Sequence, residues 1–169
     1  MAAGSPAALF PHASRQRADG RGNEVEYQET DLLDWYVYNV LFTALAPAAQ
    51  ATANVAIEAD ANFILVKLSG FADIAAAAQT YNTRVVPLVT LQITDTGSGR
   101  NLFNGNTAWS NVVGWGEIPY ILPIRRKWKA NSTIRVQVTN FDVAVTYNLR
   151  LSFSGIKDFG EVLQSRQRG

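Results

Sequence analysis

The stretch that most constrains the fold is residues 131–159, which contains two runs of alternating apolar and polar residues. Such alternation is typical of strands with one buried face. The apolar members are Ile134, Val136 and Val138 in the first run, and Leu149, Leu151 and Phe153 in the second. Asn140, Phe141 and Asp142 lie between the runs, and Asn and Asp are residues that turns favour. We therefore expect a long β-hairpin with one face toward a core.

Further strands are expected before this hairpin, at residues 35–42, 51–58, 63–68, 85–94 and 118–123. The first of them has large apolar residues at both sets of alternate positions, so its middle is expected to be buried on both faces. Gly70 is expected to end a strand, and the alanine-rich residues 71–79 to form a short helix or a loop. Many short strands without crossover helices predict an all-β fold, an antiparallel, jelly-roll-like β-sandwich.

The composition divides the chain into three parts, residues 1–34, 35–159 and 160–169. Residues 1–34 are expected to be an extended N-terminal arm, partly disordered or docked on a neighbour. In the docked case, Leu9 and Phe10 are its apolar anchors, and Arg15 and Arg17 its polar contacts. Five acids without a basic residue follow in residues 24–34, and they either steer pairing between copies or form a solvated connector. Residues 35–159 are the sandwich, and residues 160–169 are a polar C-terminal tail.

The residue types argue against an enzyme. The chain has no cysteine, and its one histidine, His12, lies in the arm. Triads of the Ser-His-Asp and Cys-His kinds are therefore excluded, and neither a metal nor a cofactor is expected. A carboxylate pair of the glycosidase type is the enzymatic alternative. A net charge of +1 argues against nucleic acid, and the chain has no apolar run long enough to predict a membrane partner.

Aromatic and basic residues between positions 102 and 129 are the candidate binding residues of the sandwich. They are Phe103, Trp109 and Trp115 in a long loop, and Arg125, Arg126, Lys127 and Lys129 around Trp128. The aromatic residues are either a stacking platform for sugars or a partner chain, or anchors in a core or an interface. The basic residues are expected to contact an acidic protein surface, with residues 24–34 of the same or a neighbouring copy as one candidate.

Four segments resemble small structural proteins encoded near the capsid genes of tailed bacteriophages. They are residues 71–75, 93–100, 122–123 and 146–155. The resemblance implies a virion component with a β-sandwich, present in many symmetric copies and assembled in the bacterial host cytoplasm. Its implied partners are other copies of itself and virion proteins, such as the major capsid protein or the portal and neck proteins. It implies no catalytic residues. It leaves open capsid decoration and a neck, collar or tail position. The loop of residues 103–115 motivates a separate alternative, a carbohydrate-binding receptor-recognition module.

Overall fold

A computed structural model of the chain describes residues 14–18, 24–28, 32–75, 77 and 83–160, the first two ranges as backbone. In chain order the elements are β1 (Ser14–Ala18), β2 (Glu24–Gln28), β3 (Leu33–Leu45), β4 (Gln50–Ala56), β5 (Asn62–Ile74), β6 (Arg84–Val85), β7 (Val89–Asp95), β8 (Arg100–Asn101), β9 (Thr107–Ala108), α1 (Trp109–Val112), β10 (Tyr120–Trp128), β11 (Thr133–Asn140) and β12 (Tyr147–Asp158). Within these ranges, no helix is long and apolar enough to cross a membrane.

Two antiparallel sheets form the body of the protein. Sheet 1 has the order β10-β5-β12-β3, with β6 added to β5, and sheet 2 has the order β4-β11-β7-β8, with β9 added to β7. If β6 and β9 are set aside, the eight strands from β3 to β12 pair as first with last, second with seventh, third with sixth, and fourth with fifth. This nested pairing is that of a jelly roll, so the predicted all-β sandwich is confirmed.

The predicted hairpin at residues 131–159 is wrong in its pairing, although both of its strands exist. β11 pairs with β4 and β7 in sheet 2, whereas β12 pairs with β3 and β5 in sheet 1. The alternation of apolar residues shows that each strand has a core face, but it does not say which partner lies beside that strand. In a jelly roll, successive strands cross between the sheets, so the turn between β11 and β12 is an arch over the core.

Asn140 holds this arch together from inside. Its side chain is fully buried, and its Nδ2 donates to the carbonyl oxygens of Leu45 (3.2 Å), Ala46 (3.0 Å) and Val145 (2.9 Å). Its Oδ1 accepts a hydrogen bond from the backbone N–H of Asp142 (2.9 Å). Leu45 ends β3 and Ala46 begins the connection to β4, which also crosses between the sheets. One amide therefore ties the two crossings that lead from sheet 1 to sheet 2 and back.

Apolar residues of both sheets fill the space between them. An aromatic chain occupies one end of this core: the Phe63 ring lies 4.9 Å from that of Tyr38 and 5.9 Å from that of Trp128, which in turn lies 5.3 Å from Phe153. Trp128 is 1% exposed. Edge-to-face and stacked arrangements of this kind add to the free energy gained by burying the rings.

Two local expectations for sheet 1 are wrong. β3 is buried on one face only, because no described element covers its outer face. Gly70 does not end a strand: β5 continues to Ile74, paired along its length with β12. A Cβ at Gly70 would collide with the carbonyl oxygen of Arg150 and lie 3.0 Å from Trp109 and Val113. Glycine is therefore required by close packing here. Of the segment expected to be a short helix or a loop, residues 71–74 belong to β5, Ala75 lies in a turn and Ala77 in a bend, and residues 76, 78 and 79 lie outside the described residues.

The part of the chain expected to be an arm contains a small hairpin, because β1 and β2 pair antiparallel. The register places Gln16 opposite Glu26 and Ala18 opposite Glu24. β1, which contains Arg15 and Arg17, and the acidic residues of β2 are thus neighbours within one chain. Leu9 and Phe10 lie outside the described residues. The sandwich begins with β3 at Leu33, two residues before the expected boundary.

Candidate functional site

The outer face of sheet 1 presents side chains in rows that cross the strands. The register places Trp35, Ile156 and Ile64 in one row, and Asn39, Ser152 and Ser69 in another. A further row contains Leu41, Arg150 and Phe71. Between the first two rows lies a row of Val37, Ser154 and Lys67, and Nζ of Lys67 lies 5.2 Å from the centroid of the Trp35 ring. The face is therefore apolar at the Trp35 row, carries a cation at the next row, and is small and polar at the Ser152 row. It is cationic and aromatic at the Phe71 row.

The first candidate surface is the outward face of β3, which we call the β3 stripe. Its members are large apolar residues that remain exposed: Leu33 (41%), Trp35 (55%), Val37 (38%) and Leu41 (54%). β3 lies at the end of its sheet, and no described strand pairs with its outer edge. Its thirteen residues contain neither proline nor lysine. Proline, lysine and short length are the usual protections of an edge strand, so β3 is open to a partner.

The edge of sheet 2 has the opposite character. β4 is also a terminal strand, but its outward positions are Gln50, Thr52, Asn54 and Ala56. It is seven residues long, and three of its four outward residues are polar. The apolar composition of the β3 stripe is therefore specific to one edge of the sandwich and is not a general property of the fold.

The second candidate surface is a groove of about 580 Å³ on the outer face of sheet 1, which we call the Trp115 groove. Small residues form its floor, because the Ser152 row brings Ser69 of β5 beside Ser152 of β12. Ser152 Oγ donates to Oδ1 of Asn39 at 2.7 Å. The floor is therefore low and carries hydroxyl and amide groups.

One wall of the groove is the loop of residues 115–118, which contributes Trp115, Gly116, Glu117 and Ile118. Glycine fixes this loop against β5: the N–H of Gly70 donates to the carbonyl oxygen of Gly114 at 2.8 Å. A Cβ at Gly114 would collide with the backbone of residues 118–120. Only a glycine fits at position 114, so the loop turns tightly there and places Trp115, 42% exposed, at the groove.

The other wall is aromatic and cationic. The guanidinium carbons of Arg84 and Arg150 lie 5.1 Å and 5.3 Å from the centroid of the Phe71 ring. Both distances are within the range of a cation–π interaction. Of these residues, Phe71 and Arg84 line the groove, so one planar hydrogen-bond donor and the carboxylate of Glu117 on the loop are both among its lining groups.

A charged cluster around Lys157 lies at one end of the sandwich. Its ammonium hydrogen-bonds Glu58 and Asp60, the latter at 3.2 Å, and lies 4.3 Å from the centroid of the Tyr36 ring. Desolvation opposes the charge, but the hydrogen bonds to the two carboxylates outweigh it and raise the pKa of Lys157 to about 12. The amine is therefore a cation and a poor nucleophile near neutral pH, and it serves to tie the loop after β4 to β12.

The predicted site residues are distributed over several regions. Trp109 (4% exposed) and Trp128 (1%) belong to the core, and Phe103 is partly buried against it. This burial in the core contradicts an interface role for these two tryptophans, because side chains with so little exposed area have none left for a partner. Trp115 is at the groove. Arg125, Arg126, Lys127 and Lys129 follow one another along or just after β10, with Arg126 half-buried and the other three exposed. Arg15 and Arg17 lie on β1.

The basic cluster has an acidic neighbour different from the one expected. Nζ of Lys127 lies 4.0 Å from Oδ2 of Asp158, on the adjoining part of sheet 1. Exposed ion pairs of this kind contribute little to stability. Neither the residues of the β3 stripe nor Phe71, Arg84 and Arg150 were among the predicted site residues. The sequence did indicate the stripe, because the strand expected at residues 35–42 has apolar residues at its outward positions as well as at its inward ones.

No protein-family model matches the chain, and no curated protein sequence matches it. In fold, the chain is similar to a chain of the cyanophage Pam1 capsid asymmetric unit, with 19% identity and a TM-score of 0.43, over 74% of this chain and 84% of that one. It is also similar to VP2 of the infectious bursal disease virus subviral particle, with 9% identity and a TM-score of 0.30. That match covers 91% of this chain and 45% of the VP2 chain. Both TM-scores lie below 0.5, so we draw no conclusion about function from either similarity.

Proposed function

We propose that this chain is a structural component of a virion that binds neighbouring protein chains through the β3 stripe. The observation that carries the proposal is a thirteen-residue strand with four exposed apolar side chains on its outward face, whose outer edge pairs with none of the described strands. A long apolar edge without protection is a site of strand pairing and of aggregation. A chain that remains in solution with such an edge needs a partner that covers it.

The free energy available at the stripe is sufficient for a specific contact. Complete burial of a large apolar side chain contributes about 1.5–3 kcal/mol. The four residues of the stripe are roughly half exposed, so covering each of them adds about 1 kcal/mol by the same area relation. Backbone hydrogen bonds along the free edge of β3 add geometric specificity, as in recognition by strand addition. A single contact of this size is weak, but many symmetric copies raise the overall avidity.

Within the virion, we place decoration of the capsid surface ahead of a neck, collar or tail position, all of which the sequence resemblance leaves open. In either position the partners are other copies of this chain and virion proteins. Copy number separates the alternatives, because a decoration protein follows the capsid lattice whereas a neck or collar protein forms one ring. Quantitative mass spectrometry of purified particles, with the major capsid protein as reference, measures that number.

Two variants and one measurement test the role of the stripe. The double variant Val37→Lys/Leu41→Lys places two cations on the outward face of β3, and Thr52→Lys places one on the outward face of β4 as a control. Light scattering after size exclusion is expected to show an oligomer for the wild type and for Thr52→Lys, and a monomer for the double variant. A folded double variant that kept the mass of the wild-type oligomer would contradict the proposal, as would a monomeric wild type.

A further inference from the structure

We propose that the Trp115 groove binds a saccharide, with a pyranose ring stacked on the indole of Trp115 and its hydroxyl groups bonded to the floor and the rim. This goes beyond the proposed assembly role, and it concerns a surface separate from the β3 stripe. The ligand class follows from the residues that the groove presents and from the partners that its backbone excludes.

The position of the Trp115 side chain supports a saccharide as the ligand. Trp109 and Trp128 are buried in the core, whereas Trp115 is 42% exposed at the edge of a concave surface. The tight turn at Gly114 holds it there. Indole faces bind apolar surfaces that also carry polar groups at their margins, and the C–H face of a pyranose ring is such a surface.

The hydrogen-bonding groups of the groove's floor also support a saccharide. Hydroxyl groups of Ser69 and Ser152 can both donate and accept hydrogen bonds. The donation from Ser152 to Asn39 leaves the oxygen of Ser152 as an acceptor facing the groove. At the rim, Arg84 supplies donors and Glu117 supplies acceptors. A hydroxyl-rich ligand can hydrogen-bond to both the donors and the acceptors of this mixture, which an apolar ligand cannot do.

Strand addition by a peptide is excluded at the groove. The N–H of Gly70 already donates to Gly114, and β6 pairs with Ala72 and Asp73 of β5. The edge of β5 is therefore occupied where it borders the groove, in contrast to the free edge of β3. The floor also offers serines where a peptide-binding site would need a pocket for an apolar side chain.

A glycan array probed with the full-length protein tests the proposal, with neutral oligosaccharides and oligosaccharides containing uronic acids as its two arms. The wild type is expected to bind at least one oligosaccharide on the array. Calorimetry with that oligosaccharide then gives the intrinsic affinity. Trp115→Ala is expected to weaken binding at least about tenfold, the change that corresponds to losing an aromatic contact. Phe141→Ala, which removes an exposed aromatic residue outside the groove (61% exposed), is the control and is expected to bind as the wild type does.

The same experiment reports the role of the rim. If the ligand carries a carboxylate, Arg84→Gln is expected to weaken binding, and a neutral sugar should respond less to that change. Failure of the wild type to retain any oligosaccharide would overturn the proposal. So would equal losses in Trp115→Ala and Phe141→Ala, or unchanged binding by a Trp115→Ala variant with the wild-type melting temperature. None of these outcomes affects the assembly test, which uses β3.

Discussion

Replacement of Asn140 by alanine is predicted to be among the most damaging polar substitutions in the chain. The side chain is fully buried and makes four hydrogen bonds, three from Nδ2 to the carbonyl oxygens of Leu45, Ala46 and Val145 and one to Oδ1 from the N–H of Asp142. A typical hydrogen bond contributes about 1 kcal/mol net, and more is lost when a buried partner is left without one. Because two N–H groups serve three carbonyls, we expect Asn140→Ala to lower the free energy of unfolding by about 3–4 kcal/mol.

Urea unfolding followed by tryptophan fluorescence measures this loss, since Trp109 and Trp128 are buried and respond to opening of the core. Asn148→Ala is the matched control. Its Oδ1 accepts one hydrogen bond, from the N–H of Ala44 at 2.9 Å in an exposed setting, so its loss should cost about 1 kcal/mol or less. A cost for Asn140→Ala no larger than that for Asn148→Ala would refute the claim that one amide joins the two crossings.

The isosteric variant Asn140→Asp sharpens the test. It would keep the acceptor for Asp142 but place a buried carboxylate against three carbonyl oxygens, which raises the folded-state pKa of that carboxyl. Such a carboxyl is tolerated while it is protonated, and it destabilises the folded state once it ionises as pH rises. The stability of Asn140→Asp should therefore be closest to that of the wild type at acid pH and lowest relative to it near neutral pH. A deficit independent of pH would show that the carbonyls do not face the side chain.

The remaining predictions concern Lys157 and Gly155. Because the pKa of Lys157 is raised to about 12 from its ordinary 10.5, its contribution is present below 10.5 and is lost as pH rises toward 12. Lys157→Met should therefore flatten the fall in stability over that interval, as measured by circular dichroism in urea, and an unchanged slope would contradict the ion cluster. A Cβ on Gly155 would collide with the carbonyl oxygen of Ile64 and lie 2.9 Å from the Phe63 ring, so Gly155→Ala should cost about 2–3 kcal/mol. Gly105→Ala, where a Cβ meets nothing within 4 Å, should change stability by less than about 0.5 kcal/mol, and equal costs would contradict the packing.

The strands and the core could be predicted from local pattern, but their pairing could not. The alternation that predicts β11 and β12 records only that each strand has a buried face. Whether the turn after Asn140 folds back within one sheet or crosses to the other depends on Leu45 and Ala46, about ninety-five residues away in sequence. A turn signal carries no record of such distant acceptors, so a hairpin and an arch look the same in the sequence.

The candidate surfaces, like the strand pairing, could be predicted only in part from the sequence. The exposure of Trp115 and the burial of Trp128 both follow from tertiary position, because each tryptophan lies among Gly or basic residues that do not distinguish a core site from a surface site. The Trp115 groove arises from the register that aligns Ser69 with Ser152, two residues more than eighty positions apart. Such alignment is fixed only when the strands pair. The stripe on β3 was visible as apolar residues, but its exposure depends on whether another element covers the outer face of sheet 1.

The most direct test of the proposed virion role is a cryo-EM map of virus particles purified from the source of this chain. A jelly-roll density of this size is expected at many symmetry-related positions, with the outward face of β3 covered by a neighbouring protein chain. Particles that lack the chain would contradict the virion role. Particles that contain it with Trp35 and Leu41 facing solvent would contradict the claim that the β3 stripe is the surface of assembly.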